Sequence, residues 1–189
     1  MSNQRAQPYH HGNLRRALLD VGLVAVAENG PAALSLREVA RRAGVSHAAP
    51  AHHFRNKGGL LTAIAAEGWN LLADALTEAH RDAGFAGQGV AYVLFATTHP
   101  AHFAVMRTPD LLHSDDPALV AARERAGVQL EHGAHDGSGR DDRSRRLAAW
   151  ALVHGLASLL LEGNIRMEPG ASVEGLAEAV TRHLGPPVE

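Results

Sequence analysis

The stretch from Leu34 to Lys57, LSLREVARRAGVSHAAPAHHFRNK, constrains this chain more than any other. Ser35 stands where a helix N-cap is expected, and Glu38 three residues later completes a capping-box pattern. Leu36, Val39, Ala40 and Ala43 then recur at i, i+3, i+4 and i+7, lining one face of a helix. Gly44 supplies the left-handed backbone that ends such a helix, and Val45 plugs the angle behind it. Ser46 is placed to cap a second helix, which carries His47, Ala48, Ala49, Ala51, His52 and His53 outward and Phe54 inward. Two short helices across a Gly turn, flanked by Arg37, Arg41, Arg42, Arg55 and Lys57, form the pattern of a DNA-reading helix-turn-helix. A helical hairpin buried in a core is the plain alternative, and it has no need of basic flanks on its solvent side.

Charge is distributed in keeping with that pattern. Residues 1–57 hold eight Arg or Lys (Arg5, Arg15, Arg16, Arg37, Arg41, Arg42, Arg55, Lys57) against three acids (Asp20, Glu28, Glu38), a net of +5. Residues 58–189 hold ten against seventeen, a net of −7, and the two recover the −2 of the whole chain. A basic head suits phosphate neutralisation and counterion release, and an acidic body avoids DNA.

The 189 residues fit one domain, or a small one and a medium one. Apolar content is 46% but Phe, Trp and Tyr are few, so the core is built of Ala, Leu and Val. Apolar stripes repeat at helical spacing throughout, which predicts an all-α fold of about nine helices. With no cysteine, disulfides, Cys-based zinc sites and thiol nucleophiles are excluded. No apolar run is long enough to span a bilayer, and Met1–Pro8 reads as a polar arm; the expected location is cytoplasmic and no membrane partner is expected.

Along the chain, the stripe Leu14, Leu18, Val21, Val24, with Leu19 and Ala25 beside it, predicts a first helix over 14–28, stopped by Asn29-Gly30-Pro31. After the helix-turn-helix, a long helix is expected from near Lys57 to about Ala83, then a break over Gly84–Gly89. Helices follow over 90–98, from Pro100 to near Arg107, and from Ser114-Asp115-Asp116-Pro117 to about His132. Gly133–Asp142 reads as a polar, Gly-rich mobile loop, Arg143–Gly163 as a long helix, and Val173, Leu176, Ala177, Val180 and Leu184 as the stripe of a last one. The Gly185-Pro186-Pro187 tail ends the order. The helix over 143–163 is apolar nearly all round, and a second copy is the expected cover for Leu152, Leu156, Leu159 and Leu160, with Leu176 and Val180. A two-fold dimer would let two heads meet palindromic half-sites about 34 Å, one helical turn, apart.

Taken together, this arrangement resembles the TetR family of transcriptional repressors, all-α homodimers with an N-terminal helix-turn-helix and a variable C-terminal ligand-binding domain. The likeness rests on Tyr9-His10-His11-Gly12-Asn13-Leu14-Arg15, on Leu36 to Ser46, and on His53-Phe54-Arg55-Asn56-Lys57. His99-Pro100-Ala101-His102-Phe103 and Trp150, His154, Gly155 resemble the subset named for its Trp-His-Gly signature. The resemblance implies a head over 1–57 and a ligand-binding and dimerisation domain over 58–189. It implies DNA contacts from Arg37, Ser46, His47, Ala49, His52, His53 and Lys57, with Arg37 reading a base and Ser46, His53 and Lys57 near the backbone. The implied mechanism is repression released by a small, mainly apolar ligand among Trp69, Leu72, Phe103, Met106, Leu111, Trp150 and His154, through movement of the long helix.

Two departures from that family stand out. Ala51 occupies the place of a phosphate-gripping Tyr. Pro50, about four residues past Ser46, removes the first backbone hydrogen bond of the second helix and pushes Ala49 off helical angles, which predicts an unusual reading helix. If these changes silence the head, the alternative is a helical protein-interaction module with impaired DNA binding. Among thirteen histidines, His99 and His102 share a helical face with His113 not far on, and His132 and His135 flank the loop, but no acid sits at matching spacing near His99. No metal and no cofactor is expected. The chain shows no nucleophile elbow, phosphate loop or framed carboxylate pair, so an enzyme is not expected.

Overall fold

The computed structural model describes residues 11–133 and 143–184. Within them the secondary structure is helical, with no strand. Helix α1 (His11–Asn29) buries Leu18, Leu19, Ala25 and Val26, while Val24, expected on its inner stripe, is 52% exposed. A tight turn over Pro31–Ala33 leads to α2 (Leu36–Arg42), which buries Val39 and Ala40 completely. Gly44, at φ 67°, makes the left-handed stop as expected.

The two expected serine caps do not form. Ser35 has the extended cap backbone, but its side chain makes no cap bond, and Glu38 instead takes Arg41 and Arg42. Bidentate guanidinium pairing out-competes a bond to one backbone N–H. Residues 46–48 form a turn in which the Ser46 carbonyl accepts from the Ala49 N–H at 3.0 Å, and α3 is a short helix over Ala49–Phe54. Pro50 therefore lies in its first turn, where a missing N–H leaves no partner unmet. Ala49 is helical, contrary to the expectation from Pro50.

Helix α4 (Lys57–Thr98) is the axis of the molecule. Asn56 caps it by accepting from Gly59 N–H at 2.9 Å, and α5 (Pro100–Met106), α6 (Pro117–Gly133), α7 (Arg143–Leu161) and α8 (Val173–Thr181) all pack on it. Leu60, Leu61, Ile64, Leu72, Leu76 and Val93 along its length are fully or almost fully buried. The expected six-residue break shrinks to a kink at Gly84 (φ 61°, ψ −148°), and helix resumes at once. Asp116 caps α6 through Ala118 and Leu119 N–H, and Ser172 caps α8 through Gly175 N–H. The expected N-terminal arm, most of the Gly-rich loop with His135, and the Gly185 tail lie outside the described residues.

Candidate functional site

The expected DNA-contacting residues lie on α2, the turn after it, α3 and the start of α4. Arg37 opens α2 and is exposed; Ser46 and His47 are exposed on the turn; His52 is exposed on α3; Ala49 and His53 are half-buried there. The His53 ring lies 5.4 Å from that of His52 and 6.3 Å from that of Phe54. Phe54 is 5% exposed and anchors α3, with the Arg15 guanidinium 5.2 Å over its ring. Lys57, at the start of α4, is half-buried and donates to the Ala32 carbonyl, so one of its three N–H groups holds the fold.

Several head cations are already paired. Arg42 joins Glu38 at 2.8 Å and Glu28 of α1 at 2.7 Å, which ties α2 to α1; Arg41 pairs with Glu38 at 2.6 Å. Hydrogen bonds from Arg41, then Arg42, pull the Glu38 carboxyl down to about 2. Among the described residues Arg37 and Arg55 pair with no acid, which leaves them available to phosphates or bases.

Two polar links join this head to the body. Arg16 of α1 meets Asp20 and, at 2.7 Å, Glu67 of α4, whose other oxygen accepts from His102 Nε2 of α5 at 3.1 Å. His102 is 7% exposed, and burial holds its imidazole below the ordinary value against the pull of Glu67. The sequence reading missed Glu67, which is remote in the chain. Farther along, His113 Nε2 donates to the capping Asn56 Oδ1 at 3.0 Å, and its backbone N–H donates to Thr62 Oγ1 at 2.9 Å. Among the described residues no group of three or more His, Asp or Glu is placed to hold a metal.

The body contains a cavity of about 310 Å³ between the second half of α4, α6 and the start of α7. Phe85, Gln88, Gly89 and Tyr92 line it from α4, Gly127 and Leu130 from α6, and Arg143, Arg146, Leu147, Trp150 and Val153 from α7. Of the expected ligand-binding residues, Trp150 lies on this wall. His154 is one step behind it, its Nδ1 sharing a 2.8 Å hydrogen bond with the Tyr92 hydroxyl. Burial pushes the Tyr92 phenol up to about 12 and the His154 imidazole down, so both stay neutral near pH 7. Leu72 and Phe103, 1% and 2% exposed, and Met106 instead belong to the shared core, which Leu111 flanks. Trp69 packs at the edge of that core with its indole N–H buried and unpartnered. Gln88 Oε1 is the other buried side-chain polar atom without a partner among the described residues.

The expected dimer face is partly inside its own subunit: Leu156 is 5% exposed and belongs to the core. Leu152, Leu160, Leu176 and Val180 are half-buried, and Leu159 is 43% exposed. Leu147, Trp150 and Leu161 extend the uncovered apolar surface of α7.

Sequence profiles decide the family. Residues 18–64 match bacterial regulatory proteins of the tetR family, and residues 85–184 match the tetracyclin repressor-like C-terminal domain. The chain belongs to the TetR family. Members are transcriptional regulators, and this chain carries both their helix-turn-helix and their helical C-terminal domain. It is 42% identical over 62 residues to the HTH-type transcriptional regulator BetI of Escherichia coli, a stretch that spans 33% of this chain and 32% of BetI. A protein of unknown function from Rhodococcus sp. RHA1 is similar over 95% of this chain and 97% of its own, at 34% identity and a TM-score of 0.77. The TetR family regulator PfmR from Thermus thermophilus shares the fold at 20% identity, covering 88% of this chain and 96% of its own, with a TM-score of 0.67. No helix among the described residues is long and apolar enough to cross a membrane.

Proposed function

We propose that this TetR-family chain is a sequence-specific, homodimeric repressor released from a palindromic operator by a small, mainly apolar ligand. Residues 1–57 read DNA and residues 58–189 bind the ligand and the second copy. The observation that carries the reading is the pairing of exposed head residues (Arg37, His47, His52, Arg55) with a built cavity on the same long helix that anchors the head. Arg37 reads a base, and Ser46, His53 and Lys57 face the backbone, Lys57 with the N–H groups that Ala32 leaves over. Leu152, Leu159, Leu160 and Leu161 of α7, with Leu176 and Val180 of α8, form the dimer face. The aromatic setting of Trp150 and His154 (ring centroids 5.3 Å apart) supports placement in the Trp-His-Gly subset.

Release follows from differential affinity: a ligand shifts the heads only as far as it prefers their released spacing. The Asn56–His113 and Glu67–His102 contacts are the handles by which α5 and the segment before α6 hold the head end of α4. Selection of bound sequences from a random duplex pool, with the mass of the complex measured, tests the proposal. An enriched palindrome carried by one or two dimers is the expected outcome. A folded dimer that enriches no sequence at low salt would overturn it in favour of a protein-interaction module, a reading that the pairing of Arg41 and Arg42 with acids favours.

A further inference from the structure

Arg55, between α3 and α4, holds a backbone conformation that its own Cβ resists. At φ 63° and ψ −54° it is the one non-glycine residue with positive φ among the described residues. Across it the Asn56 N–H donates to the Phe54 carbonyl at 2.7 Å, which closes a γ-turn of the rare, strained hand. Such strain persists only where the surroundings over-determine the backbone. It is stored at the exit of the reading helix, so this turn fixes how α3 is set against the start of α4.

The surroundings that hold it can be named. Before the turn, the Arg55 N–H closes α3 by donating to the Ala51 carbonyl at 2.8 Å, and Phe54 is buried. After it, Asn56 Oδ1 accepts from Gly59 N–H at 2.9 Å and from His113 Nε2 at 3.0 Å. Among the described residues, His113 is the hydrogen-bond partner that reaches residues 54–59 from outside the head and α4. Two glycines make room for this arrangement. A Cβ on Gly59 would overlap the Phe54 carbonyl oxygen, and one on Gly58 would fall 2.6 Å from His113 Nε2.

His113 is itself tethered on both sides. Its backbone N–H donates to Thr62 Oγ1 at 2.9 Å, and Thr62 is 2% exposed. Its carbonyl accepts from the Asp116 N–H at 3.1 Å, and Asp116 caps α6. Farther along, the same helix supplies Gly127 and Leu130 to the cavity wall. The His113 ring therefore joins the start of α6 to the turn behind α3.

We infer that His113 is a positioning residue for DNA reading: its bond to Asn56 keeps the turn at Arg55 in the strained state and so keeps α3 set for a groove. Without that bond the turn relaxes and α3 loosens. The inference deepens the DNA-reading role proposed above and rests on it for its functional sense.

The test uses the full-length protein without DNA. Arg55→Ala removes the side chain but keeps the Cβ, and Arg55→Gly removes both. At an ordinary backbone position the alanine protein is the more stable; here Arg55→Gly is expected to melt about 2–4 °C above Arg55→Ala. Hydrogen exchange followed by mass spectrometry reads the hold. In His113→Ala, residues 49–60 are expected to exchange about tenfold faster while residues 18–26 of α1 keep their rate. Added to Arg55→Gly, the same His113→Ala change is expected to alter residues 49–60 little, because a relaxed turn needs no holding. A merely structural contact would show the full loss in both backgrounds. Gly58→Ala approaches from the other side: its methyl group displaces the ring, so residues 49–60 should loosen although alanine is the better helix former. The inference is overturned if Arg55→Ala melts as high as Arg55→Gly, if neither His113→Ala nor Gly58→Ala loosens residues 49–60, if both segments speed up alike, or if Arg55→Gly does not blunt the loss. Arg55 and His113 are both exposed, so these substitutions open no core, and the Arg55 pair decides the strain even where a His113 variant fails to fold. A chain that passes these tests but selects no operator loses the reading role and keeps the hold; the opposite results keep the role and remove the hold.

Discussion

Two glycines on facing walls of one cavity should respond to the same substitution with opposite signs. Gly127 is interior to α6, and a Cβ at that position meets nothing within 4 Å. Gly127→Ala therefore gains helix propensity, about 1 kcal/mol, without a steric penalty. Gly89 is interior to α4, but its Cβ would fall 2.7 Å from Thr181 Cγ2 and 3.3 Å from Val153 Cγ1. Thr181 is β-branched, stiff at χ1 and 1% exposed on α8, so its methyl group has nowhere to turn. Gly89→Ala gains the same propensity but incurs about 1–3 kcal/mol of overpacking, for a net loss near 1 kcal/mol. In a chain of this size 1 kcal/mol moves Tm by about 2–4 °C, so the two variants should bracket the parent and differ by about 4–8 °C. Thermal unfolding followed by circular dichroism at one fixed protein concentration is the assay, since a dimer makes Tm depend on concentration. A Gly127→Ala protein that melts below the parent, or a Gly89→Ala protein that melts at or above it, would refute the open space beside Gly127 of α6 or the close packing of α8 on Gly89 of α4.

Arg37→Ala should weaken selected-operator binding by about 1–3 kcal/mol and relax base preference at one position, as read by titration at constant salt; a uniform loss across sequences would mean a phosphate contact instead. Ala51 is exposed on α3, and Ala51→Tyr should tighten operator binding, with unchanged affinity at matched salt counting against a missing phosphate grip. His102 and His154 are both held below the imidazole value of 6.5 by burial, so below that pH the unfolded chain takes up protons that the folded chain refuses. Stability is then fully present above about pH 6.5 and lost as pH falls; urea unfolding from pH 7.5 to about pH 5.5 should show this, and the His102→Gln, His154→Gln protein should show a flatter profile. Leu159→Glu places a charge on the 43% exposed face of α7 and should yield monomers by sedimentation; dimers that persist would move the interface elsewhere.

The head was legible because its signals are local. The stripe Leu36, Val39, Ala40, Ala43 and the left-handed Gly44 need only the neighbouring residues, and both are where the sequence places them. What local reading could not settle is which partner a polar side chain chooses. Glu38 turns to two guanidiniums rather than back to the helix start, and Ser35 is left with its backbone role alone. The expected disturbance at Pro50 assumed a helix beginning just after Ser46. The chain avoids the conflict by starting α3 at Ala49, where proline suits the first turn.

The cavity was far less legible, and the reason lies at one residue. Reading Gly84–Gly89 as a break removed Phe85, Gln88 and Gly89 from any helix, so no face could be assigned to them. The break is Gly84 alone, because glycine accepts φ 61° and helix can resume immediately. With that register, Phe85, Gln88, Gly89 and Tyr92 fall at i, i+3, i+4 and i+7, one helical face, and it is this face that lines the cavity. Leu72 and Phe103 have the same apolar character but lie among the buried core residues of α4 and α5, where residue type alone cannot tell a wall from a core. A kinked helix thus divides α4 into two jobs. The half before Gly84 carries the head and the core beneath it, and the half after it turns a separate face, with Phe85, Gln88, Gly89 and Tyr92, toward the cavity.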